Sequence, residues 1–261
     1  MVKRSGTLMR PIYELTKKVL FPIRLIVFDV DGVLVPRGTV IKQDGNVLTI
    51  ETKQIAQKQI DQIMELCGLG FYVNITSGRS LATLMEMFRP VLDYVSLTFE
   101  NGSASWAGGQ IIQHVNSYRY LGHLHKVLGN IKHTNIKGFE PKEHIITLHA
   151  HDRVPEIDDM FFELKRKQIY CLLNGEAYDF GVIGVQTKAV GITFVMDILK
   201  LKKQHVLGIG DNYNDAEFLR TVGVSVTADK TRVRGDFWIP LEGLHLPADT
   251  LMQQIIGVEH G

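Results

Sequence analysis

Short apolar runs that stop abruptly at polar turns recur along the chain, and their spacing predicts strands alternating with helices. Leu25-Ile26-Val27-Phe28 is a β-branched and aromatic run that reads as a buried strand, and it ends in Asp29-Val30-Asp31-Gly32. Val40 and Ile41 precede an Asp44-Gly45 turn, and Val47, Leu48 and Ile50 follow it, which predicts a small hairpin. Ala56, Ile60, Ile63 and Cys67 then fall at helical spacing, up to Gly68 and Gly70. Residues 71–76 read as the next strand, 81–88 as a helix ended by Pro90, and 94–99 as a third strand. Strand, helix, strand, helix, strand is the rhythm of a parallel sheet with helices on its faces.

From about Asn101 the rhythm changes. Residues 105–115 suggest a turn and a strand, 118–131 a helix, and 144–151 alternate as a strand. Residues 157–168 read as a helix, and 170–174 and 180–185 as strands around a glycine-containing turn. Paired short strands with intervening helices fit an α+β insert on an antiparallel sheet. The α/β rhythm resumes with a helix over 189–201, a strand to Asp211, a helix from Asp215 and a last strand over 223–228. The expected architecture is therefore a Rossmann-like α/β core, residues 1–102 and 186–261, interrupted by an inserted α+β domain over 103–185. At the N-terminus Leu8, Ile12, Leu15 and Val19 are spaced as one face of a short helix.

Composition narrows the classes without choosing among them. The 261 residues carry 45% hydrophobic and 22% charged residues and a net charge of +1, which gives no nucleic-acid signal. Two cysteines, Cys67 and Cys171, lie far apart, which suits a reducing, cytoplasmic setting better than a disulfide framework. No apolar run approaches the ~18 residues of a membrane span, and charged residues interrupt the N-terminal apolar positions, so no secretory signal is expected.

Four signals stand at the carboxyl ends of predicted core strands, where open α/β sheets bind ligands. They are Asp29 and Asp31 around one turn, Ser77-Gly78 opening a helix, Lys188 at the return from the insert, and Gly210-Asp211-Asn212-Tyr213-Asn214-Asp215. In this order they resemble the four motifs of the haloacid dehalogenase superfamily, over nearly the whole chain after the first 20 or so residues. An insert between the second and third motifs resembles the members with a C2-type cap. The G-D-N-x-N-D turn and Glu100-Asn101-Gly102 are similar to the Cof-type sugar phosphatases. The same features are similar to eukaryotic phosphomannomutases and mannosyl-phosphoglycerate phosphatases, and the opening Asp-Val-Asp-Gly-Val-Leu-Val is similar to capless sugar-acid phosphatases.

The resemblance implies a Mg2+-dependent phosphatase acting on a small phosphorylated metabolite, a sugar or sugar-acid monoester, through an aspartyl-phosphate. Asp29 would be the nucleophile and Asp31 the acid and base. Ser77, Gly78, Lys188 and Asn214 would bind the phosphoryl group. Mg2+ would be held by Asp29, Asp211, Asp215 and the main-chain carbonyl of Asp31. The second aspartate of the first motif is absent from the dehalogenating branch, so its presence here favours phosphoryl transfer. A phosphomannomutase-like mutase and a catalytically silent binding protein are the alternatives. The i, i+2 histidine pairs His123/His125 and His149/His151 lack a third ligand and read as structural or surface groups, and Trp106, Tyr118 and Tyr120 as packing.

Overall fold

The computed structural model describes residues 8–38, 40–44, 47–51, 53–173, 177–240 and 245–261. The chain opens with β1 (Arg10–Pro11), the single-turn α1 (Lys17–Leu20), β2 (Leu25–Asp29) and the hairpin of β3 (Val40–Asp44) and β4 (Val47–Glu51). Then come α2 (Gln57–Gly68), β5 (Tyr72–Thr76), α3 (Leu81–Met87), β6 (Val95–Phe99) and a hairpin of β7 (Ala104–Ala107) and β8 (Gln110–Gln113). The middle holds α4 (Tyr118–Asn130), β9 (Ile136–Glu140), β10 (Ile146–Ala150), α5 (Pro155–Asp159), α6 (Phe161–Arg166), β11 (Ile169–Leu173) and β12 (Ala177–Val182). The last third holds α7 (Lys188–Ile198), β13 (Val206–Gly210), α8 (Ala216–Thr221), β14 (Val224–Thr227), β15 (Phe237–Trp238) and α9 (Pro247–His260).

The main sheet runs β1-β15-β14-β13-β2-β5-β6-β7-β8, parallel from β1 to β6. Every residue of β2 is buried because both faces are covered. Ile26 and Phe28 pack with Ile63 and Leu66 of α2 and Met252 and Ile255 of α9. Leu25 and Val27, on the other face, pack with Ile192 and Val195 of α7 and Phe218 of α8. With β13 and β5 as its neighbours, β2 lies centrally, and its carboxyl end is the floor of the site.

A separate four-stranded antiparallel sheet, β11-β12-β10-β9, carries its own core, giving the C2-type cap on a Rossmann-like α/β fold. Alternation along β10 divides its side chains. Ile146, Leu148 and Ala150 join Leu121, Leu124 and Leu128 of α4, Ile157 of α5 and Leu164 of α6 in the cap core, while Thr147 and His149 face the main site.

Three expectations need correction. The segment beginning at Ser103 does not start the cap, because β7 pairs antiparallel with β6 and the hairpin extends the main sheet. The reversal is made by Glu100, Asn101 and Gly102, all at positive φ, and a Thr98–Ser105 hydroxyl contact of 3.0 Å fixes the register. The outward crossing therefore lies nearer His114–Ser117 than Gly102. The N-terminal helix is broken, since Pro11 is extended and β1 pairs with β15. Ile12 and Leu15 are buried as expected, but Leu8 is exposed. The helix expected over 157–168 is two short helices meeting at Met160. The turns at Gly45 and Gly175 lie outside the described residues.

Gly102 packs tightly against the start of α7. Its φ is +80°, and a Cβ there would lie 2.1 Å from the carbonyl oxygen of Thr187, the residue that caps α7. We expect Gly102→Ala to lower unfolding stability by about 3 kcal/mol, combining left-handed strain with displacement of the helix start. Chemical denaturation beside the wild type measures it.

Candidate active site

Three carboxyl-end turns of the main sheet and the start of α7 bring the site together. Asp29 ends β2, and Asp31 follows two residues on, in a turn that Gly32 permits at φ +82°. Ser77 and Gly78 follow β5, Lys188 opens α7, and Asp211 and Asp215 flank the turn after β13. Carboxylate oxygens of Asp29, Asp211 and Asp215 lie within 4.8 Å of one another, and all three residues are buried. The Lys188 ammonium, 2% exposed, donates to Asp29 Oδ1 and Asp215 Oδ1, each at 2.6 Å. The other Asp215 oxygen accepts from the amides of Asp211 and Asn212, at 2.9 and 3.0 Å. Asp215 thus fixes both the lysine and the turn that presents Asp211.

One ammonium among three buried carboxylates, with Arg37 paired to Asp211 from the side, still leaves the cluster net negative. Burial pushes the Asp29 carboxyl well above its ordinary range, Asp215 and Asp211 push it further, and Lys188 only partly offsets them. Burial and Asp215 raise the Asp211 carboxyl too, against the pull of Arg37. Burial works against the Lys188 ammonium, but Asp215 and Asp29 overcome it and its pKa is raised, so it stays charged. Hard oxygen donors carrying excess negative charge are the set that a divalent ion such as Mg2+ takes up.

Ser77 is buried, and its hydroxyl accepts the Arg79 amide at 3.2 Å. Gly78 packs so closely on Asn101 that a Cβ would meet its Oδ1 at 3.0 Å. Asn214 stands exposed on the rim. The aspartates 29, 31 and 211, Ser77, Gly78, Lys188 and Asn214 line one cavity of about 670 Å³. Asp215 lies beneath it, 0% exposed.

The cap supplies the opposite wall, mostly through residues that single-sequence reasoning left unassigned. Glu140, Lys142, Thr147, His149 and Asp179 line the same cavity. Register explains the grouping, because Thr147 lies opposite both Glu140 and Asp179 in the cap sheet. Lys142 donates to Thr147 Oγ1 at 2.7 Å and Thr147 to Asp179 Oδ1 at 2.5 Å, while His149 Nε2 lies 3.1 Å from Glu140 Oε2. His149, read from sequence as structural, therefore belongs to the cavity wall. Trp106, Tyr118 and Tyr120 do not line this cavity, and Trp106 packs into the main core.

A buried carboxylate helps fasten cap to core. Glu100 accepts the main-chain amides of Glu143, His144 and Ile145 at 3.0, 2.6 and 3.0 Å. Gln186 braces the return crossing, donating to Ser103 Oγ and to the carbonyl of His144.

A model of haloacid dehalogenase-like hydrolases matches residues 111–232 of the chain. A phosphatase of the haloalkanoate (HAD) superfamily from Bacteroides thetaiotaomicron superposes with a TM-score of 0.66 at 17% identity, covering 97% of this chain and 99% of that one. The chain has the haloacid dehalogenase-like hydrolase fold. A second haloacid dehalogenase-like hydrolase from Bacteroides thetaiotaomicron gives a TM-score of 0.65 at 14% identity, over 89% of this chain and 99% of that one. A trehalose-6-phosphate phosphatase related protein gives 0.66 at 17% identity, over 91% and 100%. No curated protein matches the chain by sequence. On this haloacid dehalogenase-like scaffold, the aspartate cluster supports hydrolase chemistry with a divalent ion. No helix among the described residues is long and apolar enough to cross a membrane.

Proposed function

We propose that the chain is a Mg2+-dependent phosphatase that hydrolyses a small phosphate monoester, a sugar or sugar-acid phosphate, through an aspartyl-phosphate. The observation that carries this reading is the placement of Asp29, Asp211, Asp215 and Lys188 in one buried cluster at the base of a cavity that the cap closes from above.

Lys188 holds Oδ1 of Asp29, which leaves Oδ2 as the attacking atom. As that oxygen bonds to phosphorus, the ester oxygen departs with a proton from the Asp31 carboxyl. Asp31, now a carboxylate, takes a proton from water, the resulting hydroxide attacks phosphorus, and the bond from Asp29 breaks to release phosphate. Ser77, Gly78 and Asn214 hold the phosphoryl oxygens, and Lys188 balances their charge. An ion bound by Asp29, Asp211, Asp215 and the Asp31 carbonyl would add positive charge against the phosphoryl group.

The cap wall supports a polyhydroxylated leaving group. Its donors and acceptors alternate, as hydroxyls that both give and take hydrogen bonds require. Lys137 and Lys142 are matched by Glu140 and Asp179 on the same wall. A mutase returns phosphate to a second oxygen of a doubly phosphorylated sugar and needs surplus positive charge in the cap, so this balance favours the phosphatase.

With a hexose phosphate and Mg2+ we expect inorganic phosphate to appear one for one with free sugar, without a hexose bisphosphate, and to stop on chelation. Isomerised sugar phosphate outpacing free phosphate, in the presence of the bisphosphate alone, would make the protein a mutase. Turnover undiminished in excess chelator would remove the ion from the scheme.

A further inference from the structure

Arg79 follows the phosphate-binding Ser77-Gly78 pair, yet its guanidinium is committed elsewhere. Nε donates to Asp31 Oδ2 at 2.9 Å and Nη2 to Asp31 Oδ1 at 2.6 Å, a fork that takes both carboxylate oxygens at once. The arginine side chain is 7% exposed, whereas Asp31 is 35% exposed and opens to the cavity. The Arg79 main chain is held at both ends. Its amide donates to Ser77 Oγ at 3.2 Å, and its carbonyl accepts the amide of Glu100 at 3.1 Å. Glu100 in turn grips the cap. A planar fork on a rigid stem sets the plane and position of a carboxylate in a way that a lysine cannot.

We propose that Arg79 is the positioning residue for Asp31, the group on which departure of a poor leaving group depends. The inference rests on the acid and base role given to Asp31 above. The fork holds the plane of the Asp31 carboxyl group while its proton passes to the ester oxygen. In the second step it holds the same carboxylate toward water. Arg79 touches neither phosphorus nor the phosphoryl oxygens in this scheme.

That division gives a test. p-Nitrophenolate leaves without a proton, whereas a hexose needs one. For Arg79→Ala we expect a loss of about 100-fold in steady-state turnover of glucose 6-phosphate, the scale of acid–base catalysis. With p-nitrophenyl phosphate the first step should keep its rate to within about threefold, so a burst of one p-nitrophenolate per enzyme precedes slow turnover as Asp29 waits for its water. Added guanidinium should restore part of the sugar-ester rate. Arg79→Lys, which keeps the charge and loses the fork, should show the same burst should the alanine variant fold poorly. Equal slowing of the first step on both esters would show that Arg79 acts on the phosphoryl group and overturn the proposal, as would undiminished turnover of both. A wild type that hydrolyses neither ester would instead refute the phosphatase reading itself.

Discussion

Asp29→Asn is expected to lower turnover by ~10⁴-fold or more, because the amide keeps the shape of the carboxylate and loses its nucleophilic charge. The fold should survive. A neutral amide in place of the Asp29 carboxylate relieves repulsion against Asp211 and Asp215, while Lys188 retains its bond to Asp215. Thermal unfolding in the absence of metal should therefore show a midpoint equal to or above that of the wild type. Near wild-type turnover would remove Asp29 from the nucleophile's place.

Lys188→Met should act on both stability and catalysis. The methionine fills a similar volume but leaves Asp29 and Asp215 facing each other without their shared ammonium, in a site where both are buried. Removing one partner of a buried ionic group costs about 3–5 kcal/mol, chiefly through the charge left behind. We expect a loss of that size in chelator, recovered in part by Mg2+ as the ion neutralises the carboxylates. Activity should stay low even when stability returns, since the phosphoryl charge loses its lysine. A variant as stable as the wild type without metal would mean that the cluster is protonated rather than ionically held.

The residues that end strands were legible because a strand end is a local signal. Asp29, Ser77, Lys188 and Asp211 each follow an apolar run or a return into helical spacing, and no long-range information is needed to place them on one edge of a sheet. Their partners were not legible. Asp31 meets Arg79 48 residues away, Glu100 meets amides 43 to 45 residues away, and Arg37 meets Asp211 174 residues away. Nothing in the composition near any of them marks the pairing. The hairpin of β7 and β8 looked like the start of the insert because its glycine turn and short strands carry no trace of which sheet they join. The decision is made by three left-handed residues, of which Gly102 alone is an obvious signal. Strand β9 was missed because its residues pack only partly into the cap core, and β15 because two residues carry no period. Helix α9 did have a signature, Pro247 at its first position and Leu251, Met252 and Ile255 along one face.

The seat of the cap on Glu100 has a consequence for how this chain can vary. The carboxylate reads amide groups alone, so it asks nothing of the side chains at 143, 144 and 145 except that none be proline. Substitution at the exposed Glu143 can therefore proceed without loosening the joint, while Ile145 is buried and His144 packs on Phe99. A fastening of this kind lets that exposed position drift while the joint stays put, whereas a joint built from matched side chains would tie the two histories together.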